Sequence, residues 1–201
     1  MYRLARCAAW FLTRVCYRLK RSGEENIPQS GAAILVCNHI HMMDAACMLI
    51  QSKRPIRFMA KKELFENKLL GWALGKIGAF PISRGEADVS GIRTAMKILK
   101  DGELLCIFPE GTRNRERREP LLPLQDGVAM LALRCKVDIV PSWIEGGYSP
   151  WRPNRMVTGS KLDLSTYEGI RKPGQEEMQR LTAEIREAML GCRDELLKQN
   201  Q

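Results

Sequence analysis

The two histidines of this 201-residue chain, His39 and His41, lie in one short stretch with a single acid, Asp44. Histidine exchanges protons near neutral pH, and a carboxylate that holds one ring nitrogen leaves the other to take a proton from a hydroxyl. Positions 39 and 44 would point in different directions on a regular helix. The pair therefore meets only if His39 precedes a helix that Asp44 begins, with Asn38 bracing the turn.

A metal site and a pair of structural histidines are the alternatives for this stretch. His39 and His41 are close neighbours in sequence, and no third ligand follows at a spacing typical of zinc sites. The seven cysteines are scattered without a Cys-x-x-Cys pair, which indicates free thiols rather than zinc ligands or disulfides. No metal is expected. Taken alone, the stretch favours structural histidines at least as much as proton transfer.

Other stretches carry groups that bind anions. Arg84 follows "GAFPIS", and arginine binds phosphate through two parallel hydrogen bonds. The stretch "FPEGTR" offers Glu110, Gly111, Thr112 and Arg113, which could together hold a phosphate monoester and a polar headgroup. No Gly-x-Ser-x-Gly motif and no complete phosphate loop occurs. Direct attack by a substrate hydroxyl is therefore favoured over a covalent enzyme intermediate.

The elements that position these stretches alternate along the chain. Short apolar runs predict buried strands, and a further run predicts an edge strand, near residues 32–37, 55–61, 79–83, 103–111, 137–147 and 154–164. Helical patterns lie between them and over 175–197. This alternation predicts a single-domain α/β fold, in which a mixed, mostly parallel sheet is flanked by helices. Sites in such sheets gather at the carboxyl ends of strands, where "NHIHMMD", "SRGEAD", "PEGTRNRERR" and "EGGYSP" all fall.

Residues 2–20 have the periodicity of an amphipathic helix. One face is apolar and is formed by Leu4, Ala8, Phe11, Leu12, Val15 and Leu19. The charged residues of the opposite face are all arginines, namely Arg3, Arg6, Arg14, Arg18 and Arg21. Such a helix suits the interface of an anionic membrane, and packing of its apolar face on the domain is the alternative. Residues 1–22 are predicted to be this membrane-interface helix, and residues 23–201 the domain that carries the site.

The net charge of +9 favours anionic partners. Nucleic acid is not expected among them, because no interleaved aromatic and basic segments and no recognised reader motif occur. No apolar stretch is long enough for a membrane-spanning helix. Phosphate-bearing substrates and acidic lipids remain as the expected anionic partners.

The four stretches resemble the glycerolipid acyltransferases. "NHIHMMD", "GAFPISR", "FPEGTRNR" and "IVPSWIEG" are similar to the four blocks of that family in order and spacing, over about residues 25–150. The 1-acylglycerol-3-phosphate acyltransferases are the most similar subgroup. Their fold, a mixed sheet flanked by helices, agrees with the pattern above.

The resemblance implies that residues 23–201 are an acyltransferase domain. It would move a fatty acyl group from a thioester, acyl-CoA or acyl carrier protein, to the free hydroxyl of lysophosphatidic acid, with no cofactor. His39 is then the catalytic base and Asp44 its orienting partner, while Arg84 binds the acceptor phosphate. Pro141 helps to form the acyl pocket or its wall, and the predicted acceptor contacts are Asn38, Glu110, Gly111, Thr112 and Arg113. The family also implies a peripheral position on the cytoplasmic face of a membrane.

The chain departs from the family in "LQDG". Gln125 and Asp126 stand where the family often has a basic residue before a glycine. An acid at this position favours a lysophospholipid whose recognition depends less on phosphate as the alternative acceptor. A non-enzymatic protein that binds anionic lipid is a further alternative. It accounts for the charge and the first helix, but not for the ordered loops.

Overall fold

The fold is built on one seven-stranded sheet. The computed structural model describes residues 2–83, 88–149, 153–170 and 172–198. The strands are β1 Lys20–Ser22, β2 Ala33–Cys37, β3 Ile56–Lys61, β4 Ala79–Ile82, β5 Leu104–Ile107, β6 Asp138–Glu145 and β7 Arg155–Thr158. Their order is β1-β7-β6-β2-β5-β3-β4. Neighbouring strands are parallel except β6 and β7, which are antiparallel. This confirms the predicted mixed, mostly parallel sheet.

Helices cover both faces of the sheet, which explains why the central strands are apolar throughout. They are α1 Tyr2–Phe11, α2 Asp44–Gln51, α3 Lys68–Lys76, α4 Val89–Lys100, α5 Gly127–Cys135 and α6 Gln175–Lys198. Ile34 and Val36 of β2 pack with α4, α5 and α6, whereas Leu35 and Cys37 pack on the side of α1, α2 and α3. No residue of β2 is exposed, as expected for a parallel strand between two helical layers.

The first helix ends earlier than predicted and packs through a different face. Helix α1 continues as a short π-helical turn, Leu12–Cys16, and Lys20–Ser22 then forms β1 rather than helix. Ala9 and Thr13 are buried, and α1 lies on α2. Most of the predicted apolar face is exposed instead, including Leu4, Phe11, Leu12 and Val15. The alternative in which that face packs on the domain is therefore wrong, except for Leu19, which is buried beyond the helix.

Two further elements differ from the expectation. The segment 63–78, whose pattern predicts a helix interrupted at its glycines, is interrupted before Gly71 instead: a 3-10 turn ends at Phe65, and Asn67 caps the start of α3. Strand β7 is not at the edge of the sheet, because β1 pairs with its outer side. Among the helices of the described residues, none is both long and apolar enough to cross a membrane.

Candidate active site

The turn between β2 and α2 brings His39 and Asp44 together. Strand β2 ends at Cys37, α2 begins at Asp44, and His39 lies between them. His39 Nδ1 is 2.8 Å from Asp44 Oδ2, and both side chains are largely buried. An imidazole that donates its Nδ1–H to this carboxylate keeps the lone pair on Nε2, which can accept a proton. The geometry is the one expected for a general base with an orienting partner.

Asp44 is held by donors on both of its oxygens. Besides His39, Oδ2 accepts from the backbone N–H groups of Ile40 at 2.7 Å and His41 at 2.8 Å. The hydroxyl of Tyr148 donates to Oδ1. Asp44 is fully buried at the first turn of α2, where the helix dipole also favours a negative charge. The carboxylate therefore stays fixed and can stabilise a positive charge on His39.

Glu110 holds the backbone of the histidine turn. Its Oε1 accepts from His39 N at 2.6 Å, and its Oε2 accepts from Leu122 N at 3.0 Å. Burial raises the pKa of Glu110 above its ordinary value, against the opposing effect of these two donors. Asn114 N also donates to the carbonyl of His39, at 2.7 Å. The "FPEGTRN" stretch thus fixes the position of the proposed base.

A cavity of about 490 Å3 lies beside this pair. Its apolar walls are formed by Met59, Ile82, Ile92, Ile107, Phe108, Pro109, Val128, Met130 and Leu131. Its polar lining includes Glu110 and Thr112, together with Gly111. The ring of Phe108 stacks on His39 with the ring centres 4.2 Å apart. Phe108 therefore separates the cavity from the imidazole by the thickness of one ring.

Two predicted substrate contacts lie in the sheet instead of at this cavity. The side-chain amide of Asn38 is buried and makes two hydrogen bonds with the backbone of Ile144. Its oxygen accepts from Ile144 N at 2.7 Å, and its nitrogen donates to Ile144 O at 2.9 Å. Pro141 is buried in β6 opposite Val36, and its carbonyl accepts from Gly159 N at 2.9 Å. Asn38 thus extends the pairing of β2 with β6, and Pro141 packs within the sheet. Neither lines this cavity, and their roles toward substrate stay predictions.

The two predicted arginines have different outcomes. Arg113 is exposed and does not line the cavity. Ser83 and Asp88, the described residues nearest to Arg84 in the sequence, both line the cavity. Arg84 lies outside the described residues, so its role in binding phosphate stays a prediction.

Tyr148 is a site residue that the sequence reasoning did not single out. Its ring stacks on that of His41 with the ring centres 4.5 Å apart. Burial raises the pKa of Tyr148, and its hydroxyl stays protonated as a donor to Asp44. The loop "EGGYSP" was identified as lying after a strand. A tyrosine inside such a loop is the signal that could have pointed to this residue.

Asn154 and Tyr17 hold Tyr148 in place. The backbone of Tyr148 has a φ of +50°, and its N–H donates to Asn154 Oδ1 at 2.8 Å. Asn154 Nδ2 donates to the carbonyl of Tyr17 at 2.7 Å, and the ring of Tyr17 meets that of Tyr148 edge to face. The segment after α1 is thus joined to the site.

Within the described ranges, no group of three or more His, Cys, Asp or Glu side chains is arranged to hold a metal ion. The expectation that no metal takes part stays a prediction. The thiols are free, as expected, and those of Cys7 and Cys16 are exposed.

A buried His–Asp pair at the carboxyl ends of parallel strands, beside an apolar cavity, is an arrangement suited to proton transfer in an enzyme. A family model described as Acyltransferase matches residues 18–145. A 1-acyl-sn-glycerol-3-phosphate acyltransferase of Bacillus subtilis is 32% identical over 170 residues, 82% of this chain and 82% of the relative. A Streptococcus pneumoniae protein of the same name is 31% identical, over 77% of this chain and 62% of its own.

The fold is also similar to a solved structure. The crystal structure of the 1-acyl-sn-glycerophosphate acyltransferase from Thermotoga maritima superposes with a TM-score of 0.74 at 23% identity, covering 96% of this chain and 78% of that one. The chain belongs to the acyltransferase family, and it is an enzyme of that family. The resemblance read from the four sequence blocks is confirmed.

Proposed function

We propose that this enzyme transfers a fatty acyl group from a thioester to the free hydroxyl of lysophosphatidic acid, giving phosphatidic acid for phospholipid biosynthesis. The observation that carries the proposal is the 2.8 Å contact between His39 Nδ1 and Asp44 Oδ2, next to an apolar cavity. The names of the relatives from Bacillus subtilis and Streptococcus pneumoniae support the same acceptor.

The chemistry needs one base. His39 Nε2 removes the proton of the acceptor hydroxyl as its oxygen attacks the thioester carbonyl carbon. The carbon–sulfur bond then breaks, and the thiolate leaves and takes the proton back from the imidazolium. Asp44 stabilises the imidazolium between the two steps, and Tyr148 and the backbone N–H groups keep Asp44 in position.

A second acceptor class is favoured by the charges at the cavity. Among its described lining residues the charged ones are all acids, namely Asp88, Glu110 and Asp126. Asp126 accepts from the hydroxyl of Thr182 at 2.8 Å, and Gln125 lines the cavity beside it. The departure in "LQDG" thus lies in the wall itself. This favours a zwitterionic or neutral lysophospholipid as the alternative acceptor.

The donor is acyl-CoA or an acyl carrier protein, and no cofactor takes part in this proposal. The enzyme binds peripherally to an anionic membrane, on the cytoplasmic face, and has no nucleic-acid partner. The exposed apolar side chains of α1 and its arginines support membrane binding.

The test is an acceptor panel with the purified chain. Labelled acyl-CoA and acyl carrier protein are each combined with lysophosphatidic acid, lysophosphatidylcholine, monoacylglycerol and glycerol-3-phosphate. We expect the fastest transfer to lysophosphatidic acid. Preference for an acceptor without a phosphate monoester selects the second class, and vesicle binding without any acylated product contradicts both.

The same panel checks the base. We expect His39→Ala to lower turnover by about 100- to 10,000-fold with the fold retained, because proton transfer contributes on this order. Circular dichroism confirms the fold. Near-normal turnover by the folded variant would rule out this mechanism.

A further inference from the structure

Exposed apolar side chains are concentrated in two segments. Nine of the twelve large apolar side chains that are exposed in the described part of the chain lie within residues 4–15 or 64–72. The first segment is the amphipathic α1 region. The second has no role in the proposed chemistry, and we name it the α3 surface, formed by Leu64, Leu69, Leu70 and Trp72.

The local structure directs these side chains outward. Asn67 Oδ1 accepts from Leu69 N at 3.1 Å and from Leu70 N at 3.0 Å, which starts α3 after the 3-10 turn. Gly71 lets the helix lie against that turn, since a Cβ there would be only 3.0 Å from backbone atoms of Phe65. The opposite face is open, with Leu69 76% exposed and Trp72 54% exposed.

Lysines outnumber acids around the α3 surface. Lys61, Lys62, Lys68 and Lys76 lie before, within and after it, against Glu63 and Glu66, and Lys61 pairs with Glu63 at 2.9 Å. Lys76 Nζ is 6.0 Å from the centre of the Trp72 ring. Apolar and tryptophan side chains with an excess of lysines over acids are a composition that binds the interface of an anionic bilayer.

The strands on either side of the α3 surface both contribute to the cavity. Strand β3, which precedes it, contributes Met59 to the cavity, and β4, which follows it, contributes Ile82. The pKa of the cavity residue Asp88 is lowered chiefly by the N–H of Gly91, and the charge of Lys62 adds to this effect. The segment that carries the α3 surface therefore connects two strands whose residues line the cavity.

We propose that the α3 surface is a second membrane-docking surface, which binds anionic phospholipid and holds the cavity mouth at the lipid interface. Docking itself does not depend on acyl transfer. Delivery of a lipid acceptor to the cavity rests on the proposed function. The α3 surface and α1 together provide two separated points of contact with the membrane, on the same helical layer of the fold.

The first test measures binding of the full chain to vesicles of phosphatidylglycerol and phosphatidylcholine. Leu69→Gln/Trp72→Gln should lower the partition coefficient at least about tenfold, because two large apolar side chains no longer enter the interface. Val89→Gln/Leu197→Gln removes two apolar side chains that are exposed elsewhere and should bind like the wild type. Equal binding by the α3 double variant and the wild type overturns the proposal.

A second measurement locates Trp72 directly. Vesicles with brominated acyl chains quench tryptophans that enter the bilayer, and Trp72→Phe keeps the surface apolar while removing this fluorophore. We expect the wild type to show a quenched component that Trp72→Phe lacks. Identical quenching in the two proteins overturns the proposal, as does a wild-type dimer that the double variant loses while vesicle binding is unchanged.

Acyl-transfer assays separate this proposal from the proposed function. With lysophosphatidic acid dispersed in detergent, the double variant should match the wild type, and with acceptor presented in vesicles it should be slower. If the wild type acylates no acceptor in either form, the proposed function fails. The docking proposal then still stands or falls on the vesicle data.

Discussion

At the scale of single residues, the site depends on how its carboxylates are held. The sequence predicted His39 and Asp44 because a strand followed by a helix start brings positions five apart together. The sequence also pointed to Glu110, but as a residue that contacts the lipid acceptor. In the structure its carboxylate accepts a hydrogen bond from the backbone of the histidine turn. Asn38 and Tyr148 could not be assigned in this way. Their partners, Ile144 and Asp44, lie more than a hundred positions away, and only the folded sheet brings them into contact.

Tyr148→Phe tests the hydroxyl that donates to Asp44. The ring remains stacked on His41, and only the donor is lost. We expect kcat to fall by about ten- to a hundredfold with KM little changed, since a hydrogen bond to a charged group is lost. The acid limb of the pH–rate profile should move to higher pH, because a carboxylate with one donor fewer holds the imidazolium more tightly.

The matched control is Tyr167→Phe. Tyr167 is also a buried tyrosine, but its hydroxyl donates to Glu184, away from the site. It should leave kcat and the pH profile unchanged. A purely structural role for Tyr148 predicts that neither kcat nor the pH profile moves once both variants are folded.

Glu110→Gln tests the support beneath His39. One oxygen of the carboxylate becomes an NH2 group that faces a backbone N–H, so a buried hydrogen bond is lost. We expect a loss of about 1–3 kcal/mol in the free energy of unfolding and slower turnover. Urea denaturation and kcat measure the two effects. Unchanged stability would contradict the assigned contacts.

The contribution of Glu110 to stability depends on pH with a defined sign. The pKa of Glu110 is raised in the folded state, so the folded chain binds more protons than the unfolded one above the ordinary value of this carboxyl. This contribution to stability is complete below the ordinary pKa and is lost as pH rises through the raised one. The stability of the wild type relative to Glu110→Gln should therefore fall with rising pH across that window.

At the scale of elements, long periodic segments were predicted well. Helix α6 and the parallel strands lie close to their expected positions, because each has a continuous apolar face or run. The errors occurred at short elements. Strand β1 has three residues and exists through its pairing with β7, a long-range contact that no local pattern encodes. In the segment 63–78 the helical pattern is interrupted at Asn67, which caps α3, rather than at the glycines, which lie inside α3.

Gly146→Ala tests the loop after β6, which carries Tyr148. Gly146 has a φ of +141°, and an added Cβ would lie 2.2 Å from Asn154 Oδ1. We expect a loss of roughly 1–3 kcal/mol or more in the free energy of unfolding and a lower kcat, because Asn154 must move away from Tyr148. Gly147→Ala is the control, since its Cβ would meet nothing within 4 Å. Equal effects of the two substitutions would show that the Asn154 contact is unimportant.

At the scale of the whole molecule, charge and exposed apolar area act together. The chain carries a net charge of +9, and its exposed apolar side chains cluster on α1 and the α3 surface. We expect binding to anionic vesicles to weaken several-fold as salt rises from about 50 to 500 mM, because screening shortens the reach of the lysines and arginines. Sedimentation with phosphatidylglycerol vesicles measures this. Salt-independent binding, or equal binding to pure phosphatidylcholine, would contradict an electrostatic contribution.

The pairing of β1 with β7 has a consequence for the order in which the chain assembles. Asn154, which binds the carbonyl of Tyr17, is 137 positions further along the chain. During synthesis, α1 leaves the ribosome complete, with its apolar side chains exposed, long before the strand that anchors it exists. Contacts between such distant segments form late, because closing the intervening loop costs entropy first. The segment that follows α1 is thus fastened to the sheet only after β7 has been made.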